Sequence, residues 1–167
     1  MLSNVKEELN RFAKYVISQS RANLTRGKKN SSKELYNSLD SNVKVSKNSF
    51  ELTFLMEEYG VFQDKGVSGV KKKYNTKYAY TTKMPPPSKM DKWIVKKGIA
   101  PRGKDGKFIS RKSLQFMIAR SIFNNGIKPS LFFTKPFEKA FKNIDKDLVK
   151  AYRLDIEQLL ETSINQK

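Results

Sequence analysis

The chain of 167 residues has a formal net charge of +18 and contains neither cysteine nor histidine. Disulfides, thiol nucleophiles and Cys-based zinc sites are therefore excluded, and so are the Ser-His and Cys-His pairings and the commonest metal ligand. Its length predicts a single domain spanning residues 1–167.

The first part of the chain predicts a helix, a short helix and a hairpin. Apolar residues at steps of three and four favour an amphipathic helix over residues 2–24. A short helix is expected over residues 32–39. Apolar and polar residues then alternate at 43–45 and again at 50–56, which predicts an antiparallel pair of strands joined by a turn at Lys47-Asn48.

The middle of the chain is predicted to be more irregular. Residues 58–66 are expected to extend the second strand, and residues 67–87 to be irregular. Within them, residues 71–83 are expected to form a long mobile loop, because glycines precede this stretch and three prolines follow it. Helices are expected at 88–97 and 110–125, with a tight turn at Asp105-Gly106 between them.

The last element is a long helix from Pro136 to about Ile164, since proline suits the first helical position and one apolar stripe runs throughout. The resulting fold class is α+β. It combines an N-terminal helix, an antiparallel sheet of about four strands, a basic helical insertion at 67–125 and the long C-terminal helix.

Almost all the surplus charge lies in one block. Residues 60–136 contain eighteen Lys and Arg against three Asp, a net charge of +15 within the total of +18. Such a block indicates a polyanionic partner, either nucleic acid or an acidic protein surface, although a solvated face is the alternative. The candidate contacts are Lys71, Lys72, Lys73, Lys77, Lys96, Lys97, Arg102, Lys104 and Lys107.

The stretch KKKYNTKYAYTTK, at 71–83, interleaves five lysines with Tyr74, Tyr78 and Tyr80. Lysines neutralise phosphates, and aromatic rings stack on exposed bases. No defined nucleic-acid recognition module accompanies it. Non-specific contact with a polyanion and a merely solvated loop therefore both remain open.

Two patterns resemble enzyme motifs but lack the residues or the geometry that the chemistry requires. GIAPRGKD, at 98–105, has the glycine and lysine spacing of a phosphate-binding loop, but Asp105 replaces the required Ser or Thr and Pro101 removes a backbone donor. Glu57, Glu58 and Asp64 could serve a metal-dependent nuclease, yet neighbouring strand residues point to opposite faces. We predict no catalytic residue, no metal, no cofactor and no enzymatic activity.

Three aromatic side chains are candidates for contacts between subunits. Phe132 and Phe133 are adjacent in a short piece expected to be extended, so their side chains point in opposite directions and one could face a partner. Trp93 is the single tryptophan, and core packing is its default role.

The order of these parts resembles the tail-completion or head–tail joining proteins of tailed bacteriophages. The similar segments are TRGKKNSSKELYNSLDSNVKV, which leads from a short helix into a strand, and the element Tyr59-Gly60-Val61-Phe62 with Gly66. A third similar element precedes the last helix and comprises Pro129, Phe132, Phe133, Pro136, Phe137, Ala140 and Phe141.

This resemblance implies a structural protein of the virion neck, assembled in the host cytoplasm. It implies a homo-oligomeric ring between portal or adaptor and tail proteins, around a channel through which genomic DNA passes. No apolar run approaches the ~20 residues of a membrane span, so no membrane partner is expected. A non-specific nucleic-acid-binding accessory protein that uses the basic 67–125 block is the alternative.

Overall fold

The computed structural model describes residues 2–30, 32–46 and 49–164, with side chains described as far as Glu161. Its elements in chain order are α1 (Ser3–Arg26), α2 (Glu34–Ser38), β1 (Asp40–Val45), β2 (Phe50–Leu55), α3 (Tyr59–Lys65), a short 3-10 helix (Pro87–Met90), α4 (Asp91–Lys97), α5 (Arg111–Asn125) and α6 (Thr134–Ile164). The N-terminal helix and the long C-terminal helix are thus confirmed.

The chain forms two compact units. The terminal unit comprises Met1–Glu57 and Phe132–Lys167, and the inserted unit comprises Glu58–Leu131. The predicted basic insertion at 67–125 falls inside the inserted unit. The prediction of a single domain stays a prediction, because compactness alone does not show whether the units unfold together.

The core of the terminal unit forms where α1 packs against α6 and the β1–β2 hairpin. Both helices have the apolar stripe that the spacing predicts, and burial of these stripes removes them from water. Hairpin side chains such as Val43 and Leu52 pack against the same clusters. The buried members from the two helices are Val5, Leu9, Phe12, Val16, Ile144 and Ala151.

The mixed helix and sheet character is confirmed, but the prediction of about four strands is wrong. Within the described residues the sheet has two antiparallel strands, paired from Asp40 with Leu55 to Val45 with Phe50. The expected strand extension at 58–66 is instead α3, whose buried residues Gly60 and Asp64 lie one helical turn apart. The predicted turn at 47–48 lies outside the described residues.

The Phe pair closes the terminal unit at the start of α6. Leu131 has a positive φ of 51°, so the chain turns there instead of running extended, and α6 begins at Thr134, two residues before Pro136. Phe132 is 1% exposed within a cluster of leucines from α1 and α2. Phe133 is half-buried and packs edge-on against Phe54, with ring centroids 5.1 Å apart.

A buried carboxylate on α6 caps the beginning of α1. Asp155 is 3% exposed. Its Oδ1 accepts the backbone N–H of Asn4, and its Oδ2 accepts that of Val5, each at 3.0 Å. The side chains of Ser3 and Asn4 also donate to Oδ1. These first-turn N–H groups lack partners within their own helix, so the carboxylate satisfies them across 150 residues of sequence.

Burial raises the pKa of Asp155, but the hydrogen bonds from Asn4, Val5 and Ser3 lower it by more, so the pKa lies below its ordinary value. A lowered folded-state pKa means that the charged side chain stabilises the fold above the pKa of the unfolded chain, about 4. That stabilisation is lost as the pH falls through the folded-state pKa.

We therefore expect Asp155→Asn to lower the free energy of unfolding at pH 7 by about 1–3 kcal/mol, because charged hydrogen bonds are lost to buried donors. The deficit relative to the unsubstituted chain should shrink as the pH falls below about 4. Urea unfolding at several pH values measures both effects. Asp145→Asn, at an exposed position on the same helix, is the control. An equal loss in both variants would contradict the capping role.

Phe132→Ala should cost about 3–5 kcal/mol, because it leaves a cavity among closely packed leucines. Phe141→Ala, which removes an equally large ring that is 53% exposed, should cost far less. Thermal unfolding of the two variants compares them directly. A smaller loss for Phe132→Ala than for Phe141→Ala would show that the burial of Phe132 does not support the fold.

Candidate polyanion-binding surface

The inserted unit carries most of the positive charge. Between Glu58 and Leu131 there are seventeen Lys and Arg against four Asp and Glu, a net charge of +13. All nine cations predicted to meet a polyanion have exposed side chains. All nine are therefore accessible to a partner.

A close crossing of backbone segments organises this unit. Gly66 to Gly69 run beside Gly126 and Ile127, and Val67 exchanges two backbone hydrogen bonds with Ile127. A Cβ atom added at Gly69 would overlap the carbonyl of Asn124, and one added at Gly126 would overlap the carbonyl of Val67. Glycine at these positions allows an approach that no other residue permits.

The crossing places the lysine run at the C-terminal end of α5. The backbone N–H of Val70 donates to the carbonyl of Phe123, and those of Lys71 and Lys72 donate to the carbonyl of Asn124. Carbonyls in the last turn of a helix have no partner within the helix, and positive charge there complements the helix dipole. The backbone N–H groups of Lys71 and Lys72 thus stabilise the end of α5, whereas the side chains of both residues remain exposed.

Lys73 has a structural contact of its own. Its Nζ donates a hydrogen bond of 2.9 Å to the carbonyl of Gly69, inside the crossing. Lys72 and Lys77 instead lie over the rings of Tyr74 and Tyr78, at 5.7 and 5.3 Å from the ring centroids. Lys73 is therefore less suited to contact a partner than the other candidate lysines of this stretch, which are Lys71, Lys72 and Lys77.

The three tyrosines of the run are half-buried. The ring of Tyr78 packs edge-on against Phe62 at 4.8 Å between centroids, and the ring of Tyr80 lies 6.3 Å from Phe123. Burial raises the pKa of the Tyr80 phenol above its ordinary value. These contacts assign the tyrosines to packing inside the unit, and they also fix the segment that was expected to be a mobile loop.

The remaining candidate cations form two further groups. Lys96 and Lys97 occupy the last turn of α4. Lys104 and Lys107 belong to a tight turn in which the N–H of Gly103 donates to the carbonyl of Lys107, which confirms the turn predicted at Asp105-Gly106. The guanidinium of Arg102, beside this turn, stacks over Phe108 at 4.1 Å.

Within the described part of the chain, none of the nine candidate cations forms an ion pair with a carboxylate. Asp91 is 3.7 Å from Arg111 and accepts a hydrogen bond from Gln115, and Asp105 accepts the N–H of Lys107 in its own turn. Asp64 is buried. Positive charge that is not neutralised internally is available to an anionic partner.

The aromatic candidates for subunit contacts separate into buried and exposed side chains. Phe132 is part of the core, and this burial corrects its assignment to a contact with another subunit. Phe133 also packs internally, although it is only half-buried. Trp93 lies on α4 and is 42% exposed, so it retains a surface that a partner could cover.

A groove of about 580 Å³ in the inserted unit was not foreseen from the sequence. Its walls come from α3, from the tyrosine segment and from the crossing. The lining residues are Tyr59, Phe62, Gln63, Val67, Lys77, Tyr78, Ala79, Tyr80 and Ile127. The spacing of Tyr59, Phe62 and Gln63 would have indicated it, had 58–66 been interpreted as a helix.

The groove combines apolar walls with donors. Lys77 contributes a charged side chain, and the side-chain nitrogen of Gln63 is buried without a hydrogen-bond partner among the described residues. A buried donor without an acceptor costs roughly 1–3 kcal/mol. Because that nitrogen is itself shielded from solvent, an occupant of this groove would gain mainly from an apolar side chain together with a carboxylate that pairs with Lys77.

The carboxylates considered for metal chemistry do not come together as a site. No group of three or more Asp, Glu, His or Cys that could hold a metal ion occurs among the described residues. Asp64 is buried within α3, and Glu58 precedes that helix. None of the helices that the structure describes is long and apolar enough to cross a membrane.

Comparisons of the chain with protein-family models, with curated proteins and with solved structures gave no match. The resemblance to phage neck proteins therefore continues to depend on the motifs of the sequence, and it stays a prediction.

We expect Gly69→Ala to destabilise the inserted unit by about 3 kcal/mol or more, because the added methyl group overlaps the backbone at the end of α5. Gly98→Ala is the matched control, since Gly98 has a positive φ but open space around it, and should cost about 1–2 kcal/mol. Amide hydrogen exchange at residues 70–72 should accelerate only in Gly69→Ala. Equal exchange in both variants would contradict the crossing as the structural support of the lysine run.

Proposed function

We propose that this protein is a structural component of a tailed-phage neck, where copies form a ring between portal or adaptor and tail. The inserted unit faces a polyanion, which is the genomic DNA in the channel or an acidic surface of a neighbouring ring. The protein acts by binding and positioning, without catalysis. The observation that carries the proposal is the group of nine exposed candidate cations, none of which forms an ion pair with a carboxylate among the described residues.

The distribution of charge supports this assignment. Seventeen of the thirty-four Lys and Arg residues lie in the inserted unit with only four acids, whereas the terminal unit has seventeen against twelve. Positive charge on the wall of a channel favours contact with DNA, because each phosphate that is neutralised releases counterions. The terminal unit, with an excess of five positive charges against thirteen in the inserted unit, suits contacts with other protein subunits better, since like charges oppose them less.

The composition supports a role without catalysis. The absence of His and Cys removes the general base and the nucleophile that most hydrolytic sites use. Among the described residues, no group of three or more carboxylates comes together in a way that could hold a metal ion. A ring that only has to hold its neighbours and pass DNA needs none of these groups.

A second candidate is a non-specific nucleic-acid-binding accessory protein. It is favoured by the compactness of the inserted unit, which carries its charge in a folded body of its own. Such a protein binds DNA as a free molecule in the infected cell, whereas a neck protein acts as part of the particle. Both candidates require the same cations to contact DNA or another polyanion.

Replacing Lys71, Lys72 and Lys77 together by Gln should weaken binding to duplex DNA about tenfold or more and reduce the slope of log affinity against log salt by about three. Lys73 is left in place because its hydrogen bond supports the fold. The measurement is fluorescence anisotropy with a labelled duplex at several salt concentrations.

The matched control replaces Lys139, Lys142 and Lys146, three exposed lysines of α6, by Gln. Because it removes the same net charge from the terminal unit, it should leave the affinity and the slope nearly unchanged. If both triple variants lose affinity equally, binding follows net charge and the proposed surface is wrong. If neither loses affinity, the lysine run does not contact DNA.

A further inference from the structure

The C-terminal part of α6 differs from the rest of this basic chain. Residues 154–164 contain three acids and no Lys or Arg. Of the acids, Asp155 is buried beneath α1, Glu157 pairs with Arg153 at 2.9 Å, and Glu161 is exposed. The stretch is therefore an acidic end on a protein whose net charge is +18.

This acidic end also exposes large apolar side chains. Leu160 is 58% exposed, the highest value among the described large apolar side chains of this end. A single exposed leucine needs no explanation, but several on one face of a helix form an apolar patch that is stabilised when another surface covers it. The exposed members of this face are Ile156, Leu159 and Leu160.

The groove of the inserted unit has the complementary properties. Its walls are aromatic and aliphatic, and Lys77 supplies positive charge. The unit around it has a net charge of +13. An apolar anchor flanked by carboxylates therefore suits this groove better than a neutral or basic segment.

We propose that the groove of one copy receives the acidic end of α6 from a second copy, with Leu159 or Leu160 as the anchor and Glu161 near Lys77. This inference rests on the proposed homo-oligomeric ring and identifies one contact that builds it. The two surfaces are different, so the contact is heterologous. A heterologous contact repeats from copy to copy and closes into a ring when the rotation allows it, whereas a self-complementary contact stops at a dimer.

The test uses the full chain without DNA, in sedimentation velocity over a range of protein concentrations. The unsubstituted chain should associate. Lys77→Glu, Glu161→Lys and Leu160→Ser should each weaken that association by about tenfold or more. Each substitution lies at an exposed position, and thermal unfolding confirms that the variants stay folded.

The decisive variant combines Lys77→Glu with Glu161→Lys. If the two side chains meet across the contact, reversing both charges should restore association to within about threefold of the original, as in a double-mutant cycle. Lys112→Glu and Glu138→Lys are the controls, because they reverse charges at exposed positions on the same two units but outside the contact. Both controls should associate like the unsubstituted chain.

The failures of this contact and of the ring are distinguishable. If Lys77→Glu and Leu160→Ser still associate, the proposed contact is wrong. The ring would then form through another surface, and the groove would bind an acidic segment of a different protein. Loss in the single variants without restoration in the combined variant overturns the pairing of groove and acidic end. A chain that is monomeric at every concentration overturns both the contact and the self-assembled ring, while DNA binding stands on its own measurement.

Discussion

The close backbone crossing in the inserted unit is the constraint on which its surface depends. The glycines at 66, 69 and 126 let two segments approach so closely that their backbones bond to each other. The same approach gives the carbonyls at the end of α5 the N–H groups of Val70, Lys71 and Lys72 as partners. The main chain of Lys71 and Lys72 is thereby ordered before a partner binds, so binding does not have to pay the backbone part of the conformational entropy.

The terminal unit uses the same principle of satisfying helix ends over long distances. Asp155 on α6 supplies the cap that the beginning of α1 lacks, and Phe132 closes the core where the chain returns from the inserted unit. Charge is divided accordingly. The terminal unit has an excess of five positive charges and an acidic end on α6, whereas the inserted unit holds an excess of thirteen. In the proposed ring Lys77 lies at the subunit contact, and the other candidate cations remain available to a polyanion.

Sequence patterns predicted the long elements well, since α1, α5 and α6 each repeat an apolar spacing over several turns. They failed at α3, because a segment of seven residues is too short for its apolar pattern to distinguish a strand from a helix. The groove was missed with it, since Phe62 and Tyr78 meet only once α3 is a helix. The exposure of the cations could be predicted from composition. The hydrogen bond from Lys73 could not, because its acceptor is a carbonyl that only the folded backbone brings near.

The central claim is that the protein belongs to the neck of the particle. Quantitative mass spectrometry of gradient-purified phage particles, scaled to the portal protein, tests it most directly. The account predicts a fixed copy number comparable to that of the portal in every preparation. Absence from mature particles, with the protein abundant in the infected cell, would contradict the neck assignment and favour the nucleic-acid-binding accessory protein.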